Sequence, residues 1–177
     1  VGQNFLRLGK YAEEVNTPSE ALDFLNDGIA ETFHSEYKDE KIRDGMDIAL
    51  CALKLSDNKL IFSGAKNPVY IVRGEELHEL KGDKKPIGQY DEDQSPFTNQ
   101  EFDLQQGDAI YTFSDGFPDQ FGGEKGKKFK YKNMKDLMLA IRQMNMQEKK
   151  NHLDEFFKTW MGSYEQIDDV CIIGMRV

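Results

Sequence analysis

The first clear helical pattern along the chain begins at Thr17-Pro18-Ser19-Glu20. Thr17 can cap, Pro18 suits the first helical position, and Glu20 completes a capping box. Leu22, Leu25, Ile29 and Phe33 follow at helical spacing and give the segment one apolar face. Residues 1–14, with apolar Phe5, Leu6 and Leu8, predict an earlier helix. From Met46 the period changes. Residues 48–55 read as a strand, Ser56-Asp57-Asn58 as a turn and 59–63 as the returning strand. Asn67-Pro68 breaks the run. Residues 69–72, a turn at Gly74-Glu75-Glu76, and 77–80 then continue an antiparallel meander.

Residues 81–97 are polar, with Gly and Pro, and predict an irregular loop. Residues 98–104 resume strand character, 105–108 turn, and 109–113 read as a buried strand. A second glycine-rich loop is expected over 114–132, with a basic stretch at 125–132. Met134, Leu137, Met138 and Ile141 mark one helix; Leu153, Phe156, Phe157 and Trp160 mark another over 151–161, stopped by Gly162. Residues 170–177 close the chain as a strand. It is apolar almost throughout, which predicts a place inside a sheet, not at its edge. Helices and strands are segregated, so the class is α+β.

The chain has 177 residues, enough for one domain around one core. Its 12 Phe, 7 Tyr and single Trp supply the apolar area that a disordered chain lacks. No apolar run nears the about 20 residues that span a bilayer. No signal-peptide pattern opens the chain. A net charge of −9 argues against a protein that wraps duplex nucleic acid. It also means that an anionic substrate needs a local cation to dock on. Cys51 and Cys171 both sit in apolar runs and read as buried, reduced thiols. The start at Val1, without an initiator Met, reads as the inside of a longer protein.

Two spots could carry chemistry. Residues 110–116, Ile-Tyr-Thr-Phe-Ser-Asp-Gly, end a buried strand on Asp115. Residues 167–173 place Asp168 and Asp169 just ahead of the last strand. If the two strands are neighbours, Asp115 and Asp168 meet at one sheet end and suit a hard cation such as Mg²⁺ or Mn²⁺. Without one, like charges about 4 Å apart repel by about 4 kcal/mol at an effective dielectric near 20. Each spot alone also reads as an ordinary turn, since Asp-Gly is a common turn dipeptide.

The motif Tyr111-Thr112-Phe113-Ser114-Asp115-Gly116-Phe117 resembles the Asp-Gly strand motif of the PPM metal-dependent serine/threonine phosphatases, in their SpoIIE/RsbU branch. Ile167-Asp168-Asp169-Val170-Cys171 is similar to the closing Asp-Asp motif of the same family. Gly107-Asp108, Phe62-Ser63-Gly64-Ala65-Lys66-Asn67-Pro68 and Pro86-Ile87-Gly88 resemble its intervening turns, in the right order. Asp44-Gly45-Met46-Asp47 and Asp119-Gln120-Phe121-Gly122-Gly123 resemble a bacterial subgroup fused to sensor modules.

The resemblance implies a sandwich of two antiparallel sheets flanked by helices, with residues 1–177 as the C-terminal portion of one phosphatase domain. It implies Asp115 and Asp168 as catalytic metal ligands and Asp169 as a weaker or outer ligand of a two-metal Mn²⁺ or Mg²⁺ site. It further implies hydrolysis of phosphoserine or phosphothreonine by a metal-activated water, in the cytoplasm. The substrate would be a phosphorylated regulator of the anti-anti-sigma type. A sensor domain upstream in the same chain and possible homodimers belong to the same implication; nucleic acid does not. The family's early Gly-Asp step and its Asp-x-x-Gly-His-Gly turn do not occur here. None of His34, His78 and His152 sits in such a turn. The chain alone is therefore expected to be nearly inactive. A non-catalytic binding module on the same fold remains open as an alternative. So, with less support, does an unrelated carboxylate hydrolase.

Overall fold

The structure, a computed structural model, describes residues 15–36, 45–88 and 95–177, and the side chains of all of these but 30–36. The helix expected over 1–14, Asp44 of the Asp-Gly-Met-Asp motif and the side chain of Phe33 lie outside the described residues. In chain order the elements are α1 (Pro18–Glu36), β1 (Ile48–Lys54), β2 (Lys59–Ala65), β3 (Val69–Arg73), β4 (Glu76–Leu80), β5 (Gln100–Asp103) and β6 (Ala109–Phe113). These are followed by α2 (Gly116–Asp119), β7 (Phe121–Gly122), β8 (Lys127–Lys128), α3 (Lys130–Ala140), α4 (Met146–Met161) and β9 (Ile172–Arg176). The chain forms two compact units: Val1–Pro68 with Leu80–Leu104, and Val69–Glu79 with Gln105–Val177.

In the first unit α1 starts as its sequence predicts. The Glu20 carboxylate accepts from Thr17 N at 3.0 Å, and the Thr17 hydroxyl accepts from Glu20 N at 3.4 Å. Leu22, Leu25 and Ile29 are buried with Ala65, Ile87 and Phe97. The sheet is antiparallel, in the order β1-β2-β5. The predicted meander does not stay in one sheet, because β3 belongs to the other. The chain leaves the first sheet at Lys66, whose φ of 59° is left-handed, and at Pro68, which has no N–H for a ladder. The 81–97 segment is irregular as expected, yet tethered. Asp23 accepts from Phe97 N at 2.8 Å and Asn26 from Gly88 N at 3.0 Å.

The second unit holds an antiparallel sheet in the order β4-β3-β6-β9. Its core joins Tyr70, Tyr111 and Phe113 from the sheet to Phe117, Met138 and Phe157 from the helices. Three sequence expectations fail here. The last strand is not interior: among the described residues β9 ends the sheet, and Ile173 on it is 64% exposed. An apolar run reports composition and not the number of its neighbours, and among the described residues β9 pairs with β6 alone. The 114–132 loop is not structureless. It holds α2, the β7–β8 hairpin and the first turn of α3. These are organised by Phe129, which meets Phe117 and Trp160 edge-on at 5.4 and 5.2 Å.

Helix α4 starts at Met146 rather than 151. Asn145 accepts from Glu148 N at 2.9 Å, and Glu148 accepts from Asn145 N at 2.8 Å, a full capping box. The buried-thiol reading also fails. Cys51 is half-buried, enough for burial to raise its pKa to about 11. Cys171, in the approach to the edge strand, is exposed.

Candidate metal centre

Strand β6 delivers Ser114, Asp115 and Gly116 just past its C-terminal end. Strand β9 is entered through Asp168, Asp169 and Val170. The two strands pair antiparallel, from Ala109 opposite Arg176 to Phe113 opposite Ile172. That register brings both acidic loops to the same end of the sheet.

Ser114 fastens them together. Its backbone N–H donates to Cys171 O at 3.0 Å. Its hydroxyl donates to Asp169 O at 2.8 Å and accepts from Cys171 N at 2.9 Å. Gly116 allows the close approach: a Cβ there would lie 2.4 Å from Asp169 O, too near for any side chain. The loop has its own brace as well. Gln166 Nε2 donates to Asp168 O at 2.8 Å, and Asp169 N donates to Asp168 Oδ1 at 2.7 Å.

Asp115 is half-buried and occupies the N-cap position of α2 without a side-chain capping bond. Among the described residues, no hydrogen bond or ion pair engages the Asp115 or Asp169 carboxylate. The Asp168 carboxylate has only its neighbour's N–H. Three carboxylates thus share one sheet end with no protein cation among them. Carboxylate oxygens are hard donors, the type that Mg²⁺ or Mn²⁺ takes. Among the described residues no group of three or more His, Cys, Asp or Glu side chains is placed so that it could hold a metal ion. The three carboxylates by themselves therefore do not make a metal site.

Other charged residues in or beside the motifs have structural partners. Asp47 lies 3.9 Å from Lys66. Lys85 donates to Ser95 O and lies 4.4 Å from the Phe97 ring centre. Lys128 pairs with Asp119 at 2.9 Å. The Gly107-Asp108 turn is structural too: Asp108 grips Arg73 with bonds of 2.9 and 2.6 Å. Sequence reasoning missed Ser114 as the clamp. The only signal for it was a small hydroxyl residue between a strand end and Asp115.

Comparison with known proteins gives a consistent result. A family model described as "Stage II sporulation protein E (SpoIIE)" matches residues 7–177. No curated protein matches the chain. Among solved structures, the SiaA-PP2C domain of Pseudomonas aeruginosa is 26% identical, with a TM-score of 0.86, over 99% of this chain and 67% of that one. The PP2C phosphatase domain of SpoIIE from Bacillus subtilis, with a fragment of its regulatory domain, is 18% identical. Its TM-score is 0.71, over 99% of this chain and 49% of that one. The catalytic domain of the serine/threonine phosphatase PstP, in complex with two manganese ions, is 15% identical. Its TM-score is 0.62, over 98% of this chain and 79% of that one. PstP of Mycobacterium tuberculosis matches equally well in fold.

Proposed function

Because the chain belongs to the SpoIIE family and has the fold of PP2C-type serine/threonine phosphatases, we propose that it is the back portion of a metal-dependent protein phosphatase domain. In this reading Asp115 and Asp168 hold manganese or magnesium ions and Asp169 supports them. The observation that carries it is the Ser114 clamp, which fixes both acidic loops at one sheet end while their carboxylates stay without protein cations.

When bound, a pair of divalent ions supplies a water of lowered pKa, moved from about 15.7 toward about 7 to 9, and neutralises charge on a phosphoryl group. The protein's own residues do the positioning. Ser114 and Gly116 hold the Asp169 backbone against the Asp115 turn, and Gln166 fixes the carbonyl of Asp168. A net charge of −9 repels phosphoproteins from most of the surface, so docking concentrates where cations sit. The substrate is a phosphoserine- or phosphothreonine-bearing regulatory protein, and the remaining metal donors come from elsewhere in the protein. SpoIIE joins its phosphatase domain to a regulatory domain; a sensor module in the same polypeptide is part of this proposal. The chain spans 49% of that SpoIIE chain and 67% of the SiaA one.

The test is hydrolysis of p-nitrophenyl phosphate with Mn²⁺. The whole protein should turn over in an EDTA-sensitive way and lose that activity as Asp115→Asn. The 177-residue chain alone should be nearly inactive. Full turnover by the whole Asp115→Asn protein would overturn the assignment of the ligand. Robust, EDTA-sensitive turnover by the 177-residue chain would show that no further donors are needed.

A further inference from the structure

Helix α4 and strands β6 and β9 enclose a groove of about 710 Å³ inside the second unit. Tyr111, Ile172 and Gly174 line it from the sheet; Leu153, Phe157 and Met161 line it from the helix. Into this apolar wall the helix also places Lys149, only 1% exposed. Lys149 Nζ donates to Tyr111 Oη at 2.7 Å. Among the described residues no carboxylate pairs with it. The charged or titratable groups around it are Tyr111 from β6, Arg176 from β9, Arg142 from the turn before α4, and Lys150, Asp154 and Lys158 along α4 on the groove wall; the one acid among them, Asp154, is paired with Lys158. A buried ammonium without a counter-charge is costly. Burial, and then Arg176, lower its pKa to about 8. It stays largely charged near neutral pH and lacks an anion.

We propose that this groove binds a monocarboxylic amphiphile, its apolar body against Leu153, Phe157 and Ile172 and its carboxylate on Lys149. An ammonium has three N–H donors, and Tyr111 takes one. The Tyr111 hydroxyl, which accepts that bond, can still donate its own proton to the same anion. A carboxylate supplies the negative charge that Lys149 lacks. The other lysines of the groove wall do not compete at depth. Lys158 is held by Asp154 at 2.6 Å, and Lys150 is exposed. Gln166 and Val170 also line the groove, so the occupant would touch the loop that carries Asp168 and Asp169.

The test is calorimetry on the 177-residue chain with dodecanoate and with dodecanol, below the micelle concentration and near neutral pH. Dodecanoate should bind saturably and about tenfold more tightly than dodecanol, the worth of one charge-assisted hydrogen bond. Lys149→Met should erase that preference, and Lys150→Gln should keep it. Equal affinity for the two ligands, no saturable binding of dodecanoate, or a preference that survives Lys149→Met would each overturn the proposal. If circular dichroism shows that Lys149→Met does not fold, pH decides with the unchanged chain. The preference should fade as pH rises past about 8; a preference flat across that range overturns it.

Discussion

At the entry to β6, Asp108 is 1% exposed and holds Arg73 from the neighbouring strand β3 in two hydrogen bonds, 2.9 and 2.6 Å long. It also accepts from Gln105 N at 2.8 Å. At the exit of the same strand, Asp115 is half-buried and has no protein partner for its carboxylate among the described residues. Both aspartates flank a five-residue strand, and both sit beside a glycine. The neighbouring strand makes the difference. At one end β3 supplies a guanidinium; at the other β9 supplies Asp168 and Asp169. The first end is neutralised by the fold. The second gathers negative charge that the fold leaves open. A carboxylate next to a strand is therefore paired or left open according to what its sheet neighbour brings, and its own sequence context does not decide it.

The largest expected effect breaks the open end. Metal-assisted charge stabilisation is worth several kcal/mol, and about 4 kcal/mol corresponds to about a thousandfold in rate. Asp115→Asn in the whole protein should therefore lower Mn²⁺-dependent hydrolysis about a thousandfold. Urea unfolding without metal should be unchanged or slightly improved, since one of three like charges is gone. A large loss of stability without metal would show that Asp115 is structural after all, like Asp108.

The closed end should answer in the opposite sense. Asp108→Asn keeps the shape but leaves Arg73 without its charged partner. Breaking a buried pair by removing one member costs about 3 kcal/mol. Urea denaturation of the 177-residue chain should show that loss. The whole protein, while folded, should keep its dependence on Mn²⁺. A loss of metal response in folded Asp108→Asn would erase the distinction between the two ends.

Much of this was legible beforehand, for local reasons. The cap of α1 and the hairpin of β1 and β2 depend on residues near each other in sequence, so propensity and spacing find them. Asp115 and Asp168-Asp169 were visible because acidic residues abutting apolar runs stand out. Ser114 was not, because its task exists only once Phe113 lies opposite Ile172. The edge position of β9 was hidden likewise, since an apolar strand does not announce how many neighbours it has. Lys149 left a signal that charge obscured. With Leu153 and Phe157 it recurs every four residues, on the apolar face of α4. A lysine usually reads as surface, so the spacing had to outweigh the residue type.

A smaller effect tests the clamp between the two loops. Ser114→Ala removes both hydroxyl bonds and leaves the Cys171 N–H and Asp169 carbonyl without them. The cost should be about 1 to 2 kcal/mol in urea unfolding, less than for a fully buried pair because the site is exposed. Mn²⁺ should also bind more weakly in the whole protein, by about tenfold, the usual scale for groups that orient ligands. Unchanged affinity for Mn²⁺ in calorimetry would mean that the acidic loops hold their geometry without Ser114.

The smallest effect appears only in acid and belongs to the closed end. Burial alone would raise the Asp108 pKa. The Arg73 bonds and the Gln105 N–H outweigh it, and the folded-state value lies below the ordinary one. A carboxylate depressed on folding contributes stability that is complete above its unfolded pKa, about 3.9 for Asp. That stability is lost as pH falls through the folded value. Thermal unfolding of the 177-residue chain should therefore weaken below about pH 4. In Asp108→Asn this share of the acid dependence should vanish, so the two proteins should draw closer in stability as pH falls. Parallel curves for both would mean that Asp108 keeps its ordinary pKa and that the Arg73 pair adds nothing to the folded state.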